Sequence, residues 1–364
     1  MITLYKKRYC ISFLVFFIIL GCNTKDENKS SESFNVSDLL SDLTRYQIIP
    51  TVDNFNEQAV RLNTIIEAYL SNPNEDEFLK IKNQWKLTTL AYEKVYAFNI
   101  GNVRSQFLHE AIYLWPIATN SIEDILQKTP QIDENAIAAL SPSIKSIAAL
   151  EYLLFKSGTT ETNTEFISSE NRQNYLKYAA LNIQQQSERI QNIWSTSGEN
   201  YSDEFINSNE NGIQGSFNKY FNGLYNLIDT GKVSKIGKPS GLENSPVINP
   251  LLSQAFRSDL SLPILKENMV ILEQAYFNPE GLGINDYVTY IRKNDDLNLL
   301  IQEKISEVKL AIEAIPVPFF DAITSHYSLV EDLHTKLKEL LIIFSTDLRS
   351  TLSIVITSTD NDGD

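Results

Sequence analysis

Apolar residues recur at spacings of three, four and seven along nearly the whole chain, and that period leaves little choice of fold. Phe55, Leu62, Ile66 and Leu70 share one helical face, which Asn72-Pro73-Asn74 ends. Phe78, Ile81, Trp85, Tyr92 and Val95 make a second stripe. Phe107, Leu108, Ala111, Ile112 and Trp115 make a third that closes at Pro116. Tyr175, Tyr178, Ala179, Ile190, Ile193 and Trp194 predict one long helix. After a polar break at 195–202 the pattern resumes, with stripes through Phe217–Ile228, Leu265–Tyr276, Ile301–Ile315 and Ile323–Leu348. The expected fold is all-α, two related antiparallel helical-bundle lobes packed side by side, over 34–197 and 198–358. Gly231 to Pro250, rich in Gly, Pro, Ser and Asn, is expected to be an irregular crossover loop. The β-branched run Thr351 to Thr357 predicts an extended tail, and 359–364 is acidic and turn-forming.

One stretch departs from amphipathicity. Ser143 to Phe155 is apolar on nearly every face, as expected of a helix surrounded by others, with Ser141 and Pro142 as its predicted N-cap and first residue. A single carboxylate, Glu151, lies in its middle. A buried acid is costly unless it is paired, hydrogen-bonded or bound to a cation, so Glu151 is the first candidate for chemistry.

The chain opens with a basic cluster, Lys6, Lys7 and Arg8, then an apolar run from Ile11 to Leu20 that is short for a membrane span. Ile19-Leu20-Gly21-Cys22 follows, so 1–21 is read as an export signal, Cys22 as a lipidated first residue and 22–33 as a flexible tether. The expected location is the cell envelope, anchored to the membrane through Cys22. With two Cys in all, Cys10 leaving with the signal and Cys22 acylated, no disulfide, thiolate metal site or Cys nucleophile remains. The net charge of −15 argues against nucleic acid as a partner.

Ala149-Leu150-Glu151-Tyr152-Leu153-Leu154-Phe155 resembles the core motif of the imelysin-like (peptidase M75) family of bacterial envelopes. The family pattern there is Gly-x-His-x-x-Glu. Ser146 stands at the Gly position, Ala148 at the His position, and Glu151 is kept. Further fragments follow in the family's order: Trp85 with Tyr92, Ile112 to Pro116 followed by Asp124, Arg172 with Tyr175, Lys235-Ile236-Gly237-Lys238-Pro239-Ser240-Gly241, and Asp362-Gly363-Asp364. The resemblance implies a two-lobed α fold with a groove between lobes. It also implies a link to iron acquisition, with iron, zinc or haem as cofactors and iron-uptake envelope proteins as partners.

Among the three His, His109 is the candidate to join Glu151 as a metal ligand. Glu331 and His334 share a helix face but lack the second Glu-x-x-His of a bundle di-metal site and read as a charged rim. Lys235, Gly237, Lys238 and Gly241 form a candidate loop for a small anion or a haem propionate, through cationic side chains, exposed amides and the glycines' backbone freedom. Its competing reading is a crossover that pins the lobes together. Gly-x-Ser-x-Gly, His-Glu-x-x-His, Gly-x-Gly-x-x-Gly and P-loop patterns are absent. Three functions remain: non-catalytic binding of iron, haem or another small ligand in the groove; a metal-dependent hydrolase using Glu151; and a structural lipoprotein whose site has decayed.

Overall fold

Helix is the product of the apolar period, and it dominates the computed structural model, which describes residues 33–357. The predicted export segment, Cys22, the tether up to residue 32 and the acidic tail lie outside the described residues. Among the described residues there is no strand. Eight helices carry the architecture: α1 (Ile49–Ser71), α2 (Glu75–Val95), α3 (Ile147–Phe155), α4 (Glu170–Trp194), α5 (Ser216–Thr230), α6 (Ser261–Phe277), α7 (Asp296–Ala314) and α8 (Tyr327–Ile343).

Local chemistry sets their ends. Asn74 caps α2 by accepting from the Glu77 N–H at 3.0 Å, and Glu75, Asp76 and Glu77 complement the positive end of the helix dipole. Ser169 caps α4 by accepting from the Arg172 N–H at 3.2 Å. The long helix α1 packs along both α2 and α4, and α3 lies against α2 and α4, while α5 packs on α6 and α8, and α7 on α6 and α8. The two groups join along α2 and α6, and where the turn Tyr96–Phe98 meets α5. Residues from Phe34 on form one compact unit.

Several expected helices are cut differently. The Phe107–Trp115 stripe holds only one short helix, Leu108–Ile112, set off from the preceding Gly101–Ser105 helix by Phe107 in the left-handed region at φ 54°. The last stripe breaks at His326 into Phe319–Ser325 and α8, then winds wider over Phe344–Leu348. Ser141 and Pro142 do not begin α3. Pro142–Ile144 is a short 3-10 turn, and α3 starts at Ile147, after Ser146.

The 231–250 crossover is also corrected. Its first half is not irregular: Gly231–Gly237 continues α5 as a π-wound turn and Lys238–Ser240 adds a helical turn. Gly231 and Gly237 allow it, since side chains there would press on Leu265 and Glu243. The expected extended tail is corrected at its start: Arg349–Leu352 is still helical and ends at Ser353 in the left-handed region at φ 54°, and only residues 354–357 leave the helix. Asn218 receives the Val355 N–H at 2.8 Å and Asn222 that of Thr357 at 2.8 Å, which stitches the tail to α5.

Candidate functional site

The site is assembled around the N-terminal half of α3, and the neighbouring elements hold that helix by its backbone. Trp85 Nε1 on α2 donates to the Ile147 carbonyl at 3.1 Å, and the Tyr175 hydroxyl on α4 donates to the Ile144 carbonyl. Ser146 is fully buried and its hydroxyl donates to the Leu114 carbonyl at 3.2 Å. Arg172 pairs with Glu123 at 3.1 Å, and Glu123 accepts from the Tyr152 hydroxyl at 2.8 Å. The fragments Trp85, Arg172 and Tyr175 thus serve as braces for α3.

Glu151 is 2% exposed. Its Oε1 accepts the Ser258 backbone N–H at 2.9 Å and the Ser258 hydroxyl at 3.0 Å. Burial pushes its carboxyl above the usual range, while the Ser258 bonds and the Arg257 cation work against that rise. The Arg257 guanidinium sits between aromatic faces, 4.3 Å from the Phe256 ring centroid and 5.4 Å from that of Tyr152. Ala148 and Glu151 open on one cavity of about 240 Å³, walled by Trp115, Ile117, Leu251, Phe256 and Arg257. The small Ala148 side chain leaves room there, one helical turn from the carboxylate.

The loop that brings Ser258 to Glu151 holds two strained residues. Ala255 at φ 53° and Asp259 at φ 57° are left-handed, each at roughly 1 kcal/mol or more. The same loop serves a second buried carboxylate. Gln254 donates to Glu93 Oε1 at 2.6 Å, and Glu93 Oε2 takes Lys235 Nζ at 2.5 Å. Lys235 also donates to Asn268 at 2.6 Å, and Asn268 donates to the Glu93 carbonyl at 3.0 Å. Lys235 is fully enclosed. Burial lowers its amine below the ordinary range, and Glu93 opposes that. Tyr113 feels both acids: burial first, then the charges of Glu151 and Glu93, hold its hydroxyl well above its usual range.

The candidate anion loop is therefore corrected. Lys235 points inward to Glu93 and offers no charge to a ligand. Gly237 has ordinary helical backbone; what needs glycine there is the close approach of Glu243. Gly241 does use the left-handed region, at φ 72°. Lys238 lines a neighbouring cavity of about 280 Å³ with His109, Tyr113 and Trp115. His109 and Glu151 thus open on different cavities, with Trp115, Pro116 and Leu252 in the wall between them. His334 Nε2 donates to the Glu243 carboxylate at 2.8 Å, and Glu243 also pairs with Lys232 at 2.7 Å, so the predicted rim clasps the crossover.

Glu93, Gln254, Arg257 and Ser258 were not singled out from the sequence. Glu93 had a signal, since it falls eight residues after Trp85 on the apolar face of α2. The loop residues had none.

The family model described as imelysin, peptidase M75, matches residues 48–343. The chain belongs to the imelysin family. Two solved structures share the imelysin fold seen here. One is described as an iron-regulated protein A precursor from Parabacteroides distasonis ATCC 8503, with TM-score 0.75 and 15% identity over 89% of this chain and 97% of that one. The other is an imelysin-like protein from Psychrobacter arcticum 273-4, with TM-score 0.74 and 16% identity over 90% and 99%. No curated protein matches this imelysin chain.

A bare metal ion does not fit the donors at Glu151. One carboxylate oxygen is taken by Ser258, the Arg257 cation is adjacent, and His109 lies beyond the wall. Among the described residues no group of three or more His, Cys, Asp or Glu could hold a metal.

Proposed function

We propose that this imelysin-family protein works in the cell envelope as a non-catalytic binding protein, taking a small organic ligand in the Glu151 cavity. The observation that carries the reading is the cavity itself. A hydrogen-bonded buried carboxylate, a guanidinium between two aromatic rings and the space beside Ala148 converge on one opening. Such a mixture of apolar walls and a few fixed polar groups is what small-molecule sites are made of. A decayed, purely structural site would be drier, without Arg257 and Ser258 gathered around the acid.

The description of the Parabacteroides relative supports a role connected with iron. Because the donors do not suit a free ion, iron would arrive here inside a small organic complex, haem or a chelate. The envelope address rests on the sequence of 1–22 and on the word precursor in that description. No helix among the described residues is long and apolar enough to cross a membrane, and Cys22 would supply the anchor. Iron-uptake proteins of the same envelope are the natural partners.

Calorimetric titration tests this with haemin, ferric citrate, ferrous chloride and zinc chloride. An organic complex is expected to bind, the bare ions are not, and Ala148→Phe is expected to abolish binding by filling the cavity. Tight binding of a bare ion, or silence from all four, would refute it. A second reading, an M75-type hydrolase, draws on the raised protonation range of Glu151, as a general acid requires. It demands chelator-sensitive peptide hydrolysis that Glu151→Gln abolishes.

A further inference from the structure

The wall of the Glu151 cavity holds a cation whose hydrogen-bond donors have nothing to bind. Two charged side chains line that cavity, Glu151 and Arg257. Arg257 is half-buried, and its guanidinium lies over the rings of Phe256 and Tyr152. Stacking of that kind engages the flat face of the group and leaves the N–H donors around its edge free. Among the described residues those donors meet no acceptor and join no ion pair, and solvent still reaches them. Glu151 does not take them. Ser258 occupies its Oε1, and it is the backbone N–H of Arg257, not the side chain, that approaches the carboxyl.

The rest of the opening is lopsided in the same sense. The Trp115 indole N–H can only donate, and both it and the Thr119 hydroxyl are unmatched in the protein yet open to solvent. Burial favours the neutral form of Glu151, which leaves Arg257 as the dominant charge of the lining. Accessible donors around a cation call for an acceptor that carries negative charge. The walls are otherwise apolar: Pro116 and Leu251 are exposed, and Ile117 and Phe256 are half-buried. An inorganic anion would use Arg257 but leave those walls in water.

We propose that this cavity recognises its ligand by a carboxylate seated on the Arg257 guanidinium, with an apolar body lying against Pro116, Leu251 and Phe256. The planar fork of arginine matches a carboxylate through two parallel hydrogen bonds. A volume of about 240 Å³ is just below that of sites for drug-sized molecules. It admits a carboxylate with a ring or two, and a larger body would extend past the walls. This rests on the reading of the cavity as a site for an organic ligand. What it adds is that the acid group, rather than iron, is gripped.

Tryptophan emission and calorimetry test it, by titration of the full chain with two matched pairs: naphthoate against naphthamide, and haemin against its dimethyl ester. At least one acid is expected to bind saturably, and about 10- to 100-fold more tightly than its neutral partner, the scale of hydrogen bonds to a charged group. In Arg257→Gln that preference is expected to disappear. Arg257→Lys, which keeps the charge and loses the fork, is expected to restore part of it. A ratio between two ligands on one folded variant is not moved by lost stability, so it separates contact with the ligand from support of Glu151. An acid that binds no more tightly than its neutral partner overturns the carboxylate contact and leaves the ligand site standing, as does an Arg257→Gln variant that keeps the preference. Silence from both acids overturns the ligand site and the contact together.

Discussion

At the scale of single residues, Glu151 and Lys235 show how differently two buried charges are managed. Glu151 has hydrogen bonds and a nearby cation but no direct ion pair, and burial raises its carboxyl from 4.5. A carboxyl raised in the folded state stabilises the protein fully below its unfolded value. That contribution fades as pH climbs through the folded value. The native chain therefore loses it as pH rises above the unfolded value, whereas a glutamine stays neutral at every pH. Glu151→Gln is expected to gain melting temperature relative to the parent as pH rises, with the difference closing near pH 4. Thermal scans across that range check it; a gap of constant size would mean that Glu151 does not titrate in this window. Lys235 has a full partner. Lys235→Met strands Glu93 in the interior and is expected to remove about 3–5 kcal/mol in urea unfolding. Glu93→Leu with Lys235→Met is expected to lose clearly less than the two single changes together, since no uncompensated charge remains. From sequence, Glu151 stood out because everything around it on α3 is apolar. Lys235 was misread because its neighbours Gly237, Lys238 and Gly241 resemble a surface loop, and nothing in a linear string reveals a partner 142 residues away.

At the scale of elements, the three-four-seven period located the long helices because each buries one stripe, and burial is what the period records. It failed where the chain turns for reasons outside the stripe. Phe107 interrupts its apolar run with a left-handed backbone and leaves its ring 62% exposed. The Gly231–Gly237 turn stays wound where composition suggested a loop, since α5 lies against α6 and α8 and continuing the coil keeps Val233 and Ile236 buried. The loop Ser253–Leu260 has no period and gave no warning that it would meet Glu93 and Glu151. Gly223 tests the packing of α5 directly. A methyl group there would lie 2.4 Å from the Ala97 carbonyl oxygen in the turn Tyr96–Phe98. Alanine is the better helix former by up to about 1 kcal/mol. The clash is with backbone that cannot swing aside, so Gly223→Ala is expected to lose about 1–3 kcal/mol net. Gly158→Ala, with nothing within 4 Å of the new atom, is the matched control and is expected to be nearly neutral in the same denaturation series.

At the scale of the whole molecule, the two helix groups are bound to each other by charge as well as by apolar contact. Two deeply buried acids belong to the first group, Glu93 on α2 and Glu151 on α3. Their partners, Lys235, Gln254, Ser258 and Asn268, all come from the second half of the chain. A chain of this length often divides into separately melting domains. Here separation would expose the α2–α6 seam and leave Glu93 and Lys235 each unpaired in a newly opened interior, a penalty of several kcal/mol. Unfolding one half should thus destabilise the other by about that amount, enough to suppress a half-folded species. Calorimetry is expected to give one transition, with calorimetric and van't Hoff enthalpies equal. Lys235→Met combined with Gln254→Ala removes the bridging cation and amide together. In that variant the transition is expected to broaden or split, with the van't Hoff enthalpy falling below the calorimetric one. Two resolved transitions in the unaltered protein would show instead that the bridges are too weak to couple the groups, and the single-body account of the fold would fail with them.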